Sequence, residues 1–348
     1  MMRTAVDMPR RAKTFPQLRF MGSKYRLLPW IHDVLSELDF HTALDGFSGS
    51  GSVGYLLKVM GKQVVTNDRL HMSHTIASAV VENSAVVLSA DDVEALLLPN
   101  AGKEDFIERT FRGIFFEEAD LAFLDLVWSN LPALDHPHKR ALALAALIRS
   151  SVKRQPRGVF TVAGDPEHYK DGRRDLRLSL REHFVEQVDV YNRAVFDNGR
   201  ANRALHGDVF EVDAGEVDLV YLDPPYVPRA DDNCYVKRYH FLEGLATYWE
   251  GAEFVAGSRV RKLKKPYTPF SYRKDATDAF DRLFKRFADS TIVLSYSSNG
   301  FPDLSTLVSL MGRYKKVVEV QGRDHRYHFG THANVERNQV TEYLIVGE

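Results

Sequence analysis

The chain has 348 residues, 44% hydrophobic and 27% charged, with a formal net charge of −1. This composition describes a soluble globular protein, long enough for one large α/β domain with an inserted module or for two domains. No apolar run reaches the roughly 18 residues of a membrane span, Met1 to Lys13 lack the apolar core of a signal peptide, and the single cysteine, Cys234, excludes a disulfide framework or a cysteine-based zinc site. A cytoplasmic location is expected. The near-neutral balance does not announce nucleic-acid binding, but a whole-chain sum averages over faces of opposite sign, so local patches decide.

Phe20-Met21-Gly22-Ser23-Lys24 precedes the helical spacing Leu27, Leu28, Ile31, Leu35, Leu38. It reads as a tight turn that exposes backbone amides and sets Lys24 at a helix entrance, or as ordinary helix-start chemistry. Thr42 to Thr66 then reads as strand, glycine-rich turn, helix and strand, followed by Asp68. Gly49, Gly51 and Gly54 complete a G-x-G-x-x-G pattern, and an acid about 20 residues further on suits ribose hydroxyls. The unit reads as a nucleoside-cofactor half-site; the pattern alone also fits a nicotinamide dinucleotide.

Leu70 to about Lys153 is mainly helical in pattern. Ser150 to Arg181 is irregular and basic, with Arg154, Arg157, Arg173 and Arg174 among aromatics such as Phe160, His168 and Tyr169, although Asp165, Glu167, Asp171 and Asp175 dilute it. After a helix over Leu176 to Phe196, Ala204 to Phe210 reads as a strand ending in Gly207-Asp208. Asp208, followed by Val209, could take the cofactor's adenine amino group or simply cap a turn.

The apolar run Val217 to Leu222 ends in Asp223-Pro224-Pro225-Tyr226. Open α/β sheets bind ligands at the carboxyl ends of their strands, and this tetrad delivers an acid, a rigid turn and a flat ring to such an end. Adenine's amino nitrogen is a weak nucleophile. A carboxylate and a backbone carbonyl accepting its N–H bonds would return electron density to it, prolines supply no competing N–H, and an aromatic ring would stack on the base. Val227 to Lys237 is polar and reads as a mobile loop over the site, followed by a helix over Tyr239 to Trp249. Gly257 to Lys274 carries Arg259, Arg261, Lys262, Lys264, Lys265, Arg273 and Lys274 with three aromatics and no acid, the footprint expected for nucleic acid. A helix over Asp275 to Phe287, a strand over Thr291 to Leu294 with the turn Ser295 to Gly300, a helix near Leu304 to Met311, and strands over Val317 to Val320 and Glu342 to Val346 complete the pattern. Arg323, His325, Arg326, Tyr327, His328 and His332 read as a basic, aromatic loop, and without cysteines no metal site is expected there.

The ordered set resembles the DNA adenine methylase family of S-adenosylmethionine-dependent, adenine-N6-specific methyltransferases, in its α order of motifs. Phe20 to Lys24 is similar to the family's aromatic-x-Gly-Gly-Lys element with serine for the second glycine, Asp45-Gly-Phe47-Ser-Gly49-Ser-Gly51 to its cofactor loop, Asn67-Asp68 to its ribose acid, His206 to Phe210 to its adenine turn, and Asp223 to Tyr226 to its catalytic tetrad. The likeness covers Leu18 to Asp68 and Leu205 to Val346; the middle resembles the family only in helical character and length.

The resemblance implies an α/β, Rossmann-like methyltransferase fold with a mixed, mostly parallel sheet flanked by helices. Residues 14–69 and 204–348 would form the catalytic part, 70–203 an inserted helical target-recognition region, and 227–274 a DNA-contacting loop and helix. S-adenosylmethionine is the implied cofactor, with Phe20, Gly22, Lys24, Asp45, Phe47, Gly49, Gly51, Asp68, Asp208 and Val209 around it, and Asp223 to Tyr226 gripping an adenine flipped from double-stranded DNA. Arg154, Arg157, Arg173, Arg174, Arg259, Arg261, Lys262, Lys264, Lys265 and Arg273 would contact that DNA. A monomer is expected, with a cognate restriction endonuclease as a genetic partner. Cytosine-N4 methylation, an RNA substrate or an inactive DNA-binding partner are the alternatives, and Asp223 argues for adenine because the cytosine tetrad usually begins with serine.

Overall fold

The computed structural model describes residues 7–156, 158–162, 172–227, 235–326 and 339–348. Among these, strands Thr42–Asp45 (β1), Gln63–Asp68 (β2), Arg203–His206 (β3), Leu219–Leu222 (β4), Thr291–Ser297 (β5), Val318–Arg326 (β6) and Gln339–Gly347 (β7) make one sheet in the order β3-β2-β1-β4-β5-β7-β6. β7 is antiparallel to both neighbours and the other pairs are parallel. The expected α/β fold with a mixed, mostly parallel sheet is present.

Burial on both faces explains the apolar strand sequences. In β4, Leu219 and Tyr221 enter one hydrophobic cluster while Val220 and Leu222 enter the other; β1 divides Ala43 and Leu44 in the same way. The first face is covered by Leu28–Leu35 (α1), Ser52–Val59 (α2), His71–Ala77 (α3), Ala90–Leu97 (α4), Phe106–Phe111 (α5), Glu118–Asn130 (α6), Pro137–Arg154 (α7), Leu180–Ala194 (α9) and Tyr235–Thr247 (α10), while the single turn Arg174–Arg177 (α8) buries no residue. Arg273–Arg286 (α11) and Leu304–Met311 (α12) cover the second. The chain leaves β1 toward β2 on one side and β4 toward β5 on the other, so a crevice opens at the carboxyl ends of β1 and β4.

The helices of 70–203 do not build a core apart from the sheet. Leu147 of α7 and Phe184 of α9 lie in the same cluster as Ala43 and Tyr55, and the Tyr55 hydroxyl donates to the Ala194 carbonyl at 2.8 Å. The same helices hold α10: Trp128 Nε1 donates to the Leu245 carbonyl at 2.7 Å, and Tyr248 donates to Asp125 at 2.6 Å. Asp125 in turn caps α5 by accepting from the Ile107 and Glu108 N–H groups.

Several boundaries differ from the sequence reading, each for a physical reason. The helix expected from Leu176 starts at Leu180, where Ser179 and Glu182 form a capping box. Tyr235 to Lys237, read as the end of a loop, already belongs to α10, which is kinked at Tyr239. Ser295 to Ser297 is strand rather than turn, and Arg323 to Arg326 is strand rather than loop, because both runs pair with β7, Ser297 opposite Glu342 and Arg323 opposite the same residue. Arg157, His168, Tyr169, Cys234, Tyr327, His328 and His332 lie outside the described residues.

Gly54 shows why the glycine pattern extends into α2. A Cβ there would come within 2.6 Å of Thr66 Cγ2 and 3.2 Å of Asp45 Oδ2, so helix and strand approach too closely for a side chain. Gly54→Ala is expected to destabilise the protein by about 1 to 3 kcal/mol, read as a lower midpoint in urea unfolding with an unchanged slope.

Candidate active site

At the end of β4 the Asp223 carboxylate meets Lys24 Nζ at 2.7 Å, with the lysine side chain only 3% exposed. Lys24 Nζ also donates to the Gly22 carbonyl at 3.1 Å, and Gly22 adopts φ 73°, the turn that brings the lysine back over the strand end. Tyr226 donates to the other Asp223 oxygen at 3.2 Å and packs edge-on against Tyr296. Burial raises the Asp223 pKa, and the Lys24 charge opposes the shift.

At the end of β1, Asp45 is buried and its Oδ2 accepts the Gly54 N–H at 2.9 Å. Burial first, then repulsion from Asp223, lifts its pKa from 3.8 to about 8. The loop that follows is held by Ser48 N–H on the Asn67 carbonyl and by Asn67 Nδ2 on the Gly46 and Gly207 carbonyls. Gly49 turns with φ 50°, and a Cβ on it would stand 3.2 Å from the Phe20 ring. Phe20 is stacked on Tyr239 of α10, and the Tyr239 hydroxyl accepts the Met21 N–H at 2.6 Å. Asp68 at the end of β2 accepts from Gly49 N–H at 2.7 Å and Leu70 N–H at 2.9 Å. Burial nevertheless raises its pKa to about 6.

Beyond β3, Asp208 lies 3.5 Å from Arg69, whose Nη1 also donates to the Tyr267 carbonyl at 2.8 Å. Phe270, in the basic segment, is buried edge-on against Phe47 and stacked on Phe210. A segment read as DNA-facing thus also walls the pocket.

These groups open into one cavity of about 720 Å³, within the usual range of about 300 to 1,000 Å³ for small-molecule sites. Phe20, Gly22, Lys24, Asp45, Phe47, Gly49, Asp68, Asp208, Val209, Asp223 and Pro225 all line it. Gly51, Pro224 and Tyr226 do not: Gly51 (φ 81°) faces Phe15 and Ile76, and Tyr226 turns onto Asp223.

The family described as D12 class N6 adenine-specific DNA methyltransferase matches residues 20–295. The chain belongs to that family. It is 29% identical to the type II methyltransferase M2.HphI of Haemophilus parahaemolyticus over 95% of this chain and 98% of that one. It is 23% identical to the type II methyltransferase M.NlaIII of Neisseria lactamica over 95% and 99%, and 25% identical to the modification methylase LlaI of Lactococcus lactis subsp. lactis over 94% and 54%. The enzyme is an adenine-specific DNA methyltransferase, and the acid that opens its tetrad stands at the carboxyl end of β4, next to that of β1.

The methyltransferase distributes its basic residues unevenly. Arg259 and Arg261 are exposed at the tip of a hairpin-like arm closed by Val255 N–H on the Lys262 carbonyl at 2.7 Å and Lys264 N–H on the Glu253 carbonyl at 2.8 Å. Arg261 adopts φ 54°, uncommon for a non-glycine residue. Lys262 is half-buried in the same arm, Lys264 pairs with Glu253, Lys265 lies over Tyr272, and Arg273 over Phe301. Arg174 pairs with Glu186, and Arg173 donates to the Pro156 carbonyl. Arg154 needs correction as a DNA contact: it is 14% exposed and committed to Asp120 at 2.7 Å, Glu117 at 3.2 Å and the Leu176 carbonyl at 2.6 Å. Charge alone does not distinguish an internal strut from a surface contact.

Sequence reading missed Arg69, Tyr235, Tyr239, Phe270 and Glu243. Tyr235 and Tyr239, four apart, could have been read as one helical face; the others carry no local signal.

Asp45 makes the enzyme's stability depend on pH. Its folded pKa of about 8 exceeds the ordinary 3.8, so between those values the folded protein keeps a proton that the unfolded chain has lost, and this group lowers stability as pH rises through that window. Asp45→Asn, which retains an acceptor for Gly54, is expected to flatten the fall, measured by urea unfolding at a series of pH values.

Proposed function

We propose that the enzyme takes its methyl group from S-adenosylmethionine and transfers it to the N6 amino group of an adenine flipped out of double-stranded DNA. The observation that carries this reading is that Asp223 shares one cavity with Asp45, Asp68 and Asp208. The residues fit such a cofactor: Asp68 is an acceptor suited to ribose hydroxyls, Asp208 to an adenine amino group, and the buried Ser48 Oγ has no hydrogen-bond partner among the described residues. When bound, the cofactor supplies an electrophilic methyl group on a sulfonium.

The chain's own groups do the rest. Lys24 favours the ionised form of Asp223, which keeps that carboxylate an acceptor for the adenine amino N–H. Pro225 lines the cavity beside it and has no N–H to compete. Positioning of donor and acceptor can supply up to about 7 to 11 kcal/mol in favourable cases, against the few kcal/mol needed to extrude the base. Asp223→Ala is expected to lower methyl transfer at least about a hundredfold while cofactor binding persists, measured by radiolabelled transfer and nucleoside analysis. Label appearing only on cytosine would sink the reading.

The arm bearing Arg259 and Arg261 is the proposed DNA grip, with Lys262, Lys265 and Arg273 beside it, and residues 70–203 the target-recognition region. Holding a non-glycine residue in the left-handed region costs about 1 to 2 kcal/mol, a strain that a functional contact for Arg261 would account for. Arg261→Ala is expected to reduce the salt dependence of DNA binding by about one unit of slope. Arg154→Ala should leave that slope unchanged and cost about 3 kcal/mol of stability through the stranded Asp120, so fluorescence anisotropy across a salt series and urea unfolding separate the two arginines. Since relatives are named type II methyltransferases, the enzyme is further proposed to act as a cytoplasmic monomer protecting DNA from a cognate restriction endonuclease.

A further inference from the structure

A glutamate–histidine pair stands beside the proposed ribose acid. Asp68 Oδ1 accepts the Leu70 N–H, so the chain folds back after β2 and α3 begins at His71, on the wall of the same cavity. Glu243 of α10 accepts the His71 N–H at 2.9 Å and the Met72 N–H at 3.1 Å, and meets His71 Nδ1 at 2.8 Å. The two backbone bonds suffice to cap α3. The third sets the ring: a carboxylate only accepts, so Nδ1 carries a proton, and in the neutral ring Nε2 is then the acceptor. His206, its ring centroid 3.9 Å from that of His71, is set oppositely, because its Nε2 faces the Arg69 carbonyl at 3.0 Å and must hold the proton.

Asp68 has one acceptor position on each oxygen already engaged, by Gly49 and by Leu70. A ribose diol brings two hydroxyl donors to this wall, where Asp68 and His71 both line the cavity. The Leu70 bond to Asp68 and the start of α3 at His71 set the Glu243–His71 pair beside Asp68. We propose that His71 Nε2 accepts a hydrogen bond from one hydroxyl of the cofactor ribose while Asp68 takes the other, with Glu243 as the positioning residue that fixes the tautomer. This rests on reading the cavity as an adenosyl-cofactor site.

The test compares the affinity of the full-length protein for S-adenosylhomocysteine and for its 2′-deoxy and 3′-deoxy counterparts by calorimetry. Wild type should favour the ribose compound over both. His71→Ala should shrink the preference over one of the two by about tenfold, the scale of one lost hydrogen bond, and leave the preference over the other. His71→Gln, which keeps an acceptor, should restore part of it, and Glu243→Ala should shrink the same ratio. A merely structural role would weaken all three ligands together, so equal losses in His71→Ala, or none, overturn the inference. Wild type that binds none of the three overturns the cofactor reading, and this inference with it.

Discussion

The ion pair between Lys24 and Asp223 ties the N-terminal part of the chain to the end of its central strand, at 2.7 Å, with the lysine 3% and the aspartate 18% exposed. Removing one partner of such a pair strands the other charge, a cost of about 3 to 5 kcal/mol, so the N-terminal turn and the tetrad are held as one unit. Lys24 reaches Asp223 only because Gly22 turns the backbone and Phe20 rests on Gly49 and Tyr239. Cofactor loop, tetrad and α10 therefore converge on a single short segment.

The same cavity gathers Asp45, Asp68 and Asp223, acids brought together because β2, β1 and β4 are neighbouring parallel strands that end on the same side. Their pKa values all rise, through burial first and like-charge repulsion second, with Lys24 opposing the rise at Asp223. Arg259, Arg261 and Lys262 of the 257–274 segment do not line the cavity, while Lys264 does, and Phe270 from the same segment is seated against Phe47 and Phe210. One stretch of chain thus supplies both a wall of the cavity and an exposed basic surface.

Helix α10 connects the remaining parts. It carries Tyr235, Tyr239 and Glu243 into the site, and its end is gripped by Trp128 and by Tyr248 on Asp125, from the helices of 70–203. Tyr248 and Trp249 both lie at positive φ where the chain leaves that helix, held there by aromatic packing with Phe106 and Phe111. The helices of 70–203 share one core with the sheet, so a displacement of α5 or α6 would be felt at Glu243 and Tyr239.

The sequence by itself determined the order of elements, the α/β class and the acids at the strand ends, because these depend on local patterns: apolar runs for strands buried on both faces, glycines where the backbone turns or packs closely, and an acid after each run. It also determined the family, through Asp45 to Gly51, Asp68, Asp208 and Asp223 to Tyr226 in order. Only the tertiary structure decided which residues serve from a distance. Arg154 has the same charge as Arg261, but its neighbours Asp120 and Glu117 enclose it, while Arg261 stands at the tip of an arm. Polar runs at Ser295 to Ser297 and Arg323 to Arg326 became strands because β7 supplied partners for their backbones, and pairing between distant segments leaves no periodic trace. Glu243 and His71 are far apart in sequence and meet because α10 crosses the start of α3, a contact set by packing rather than by any local pattern.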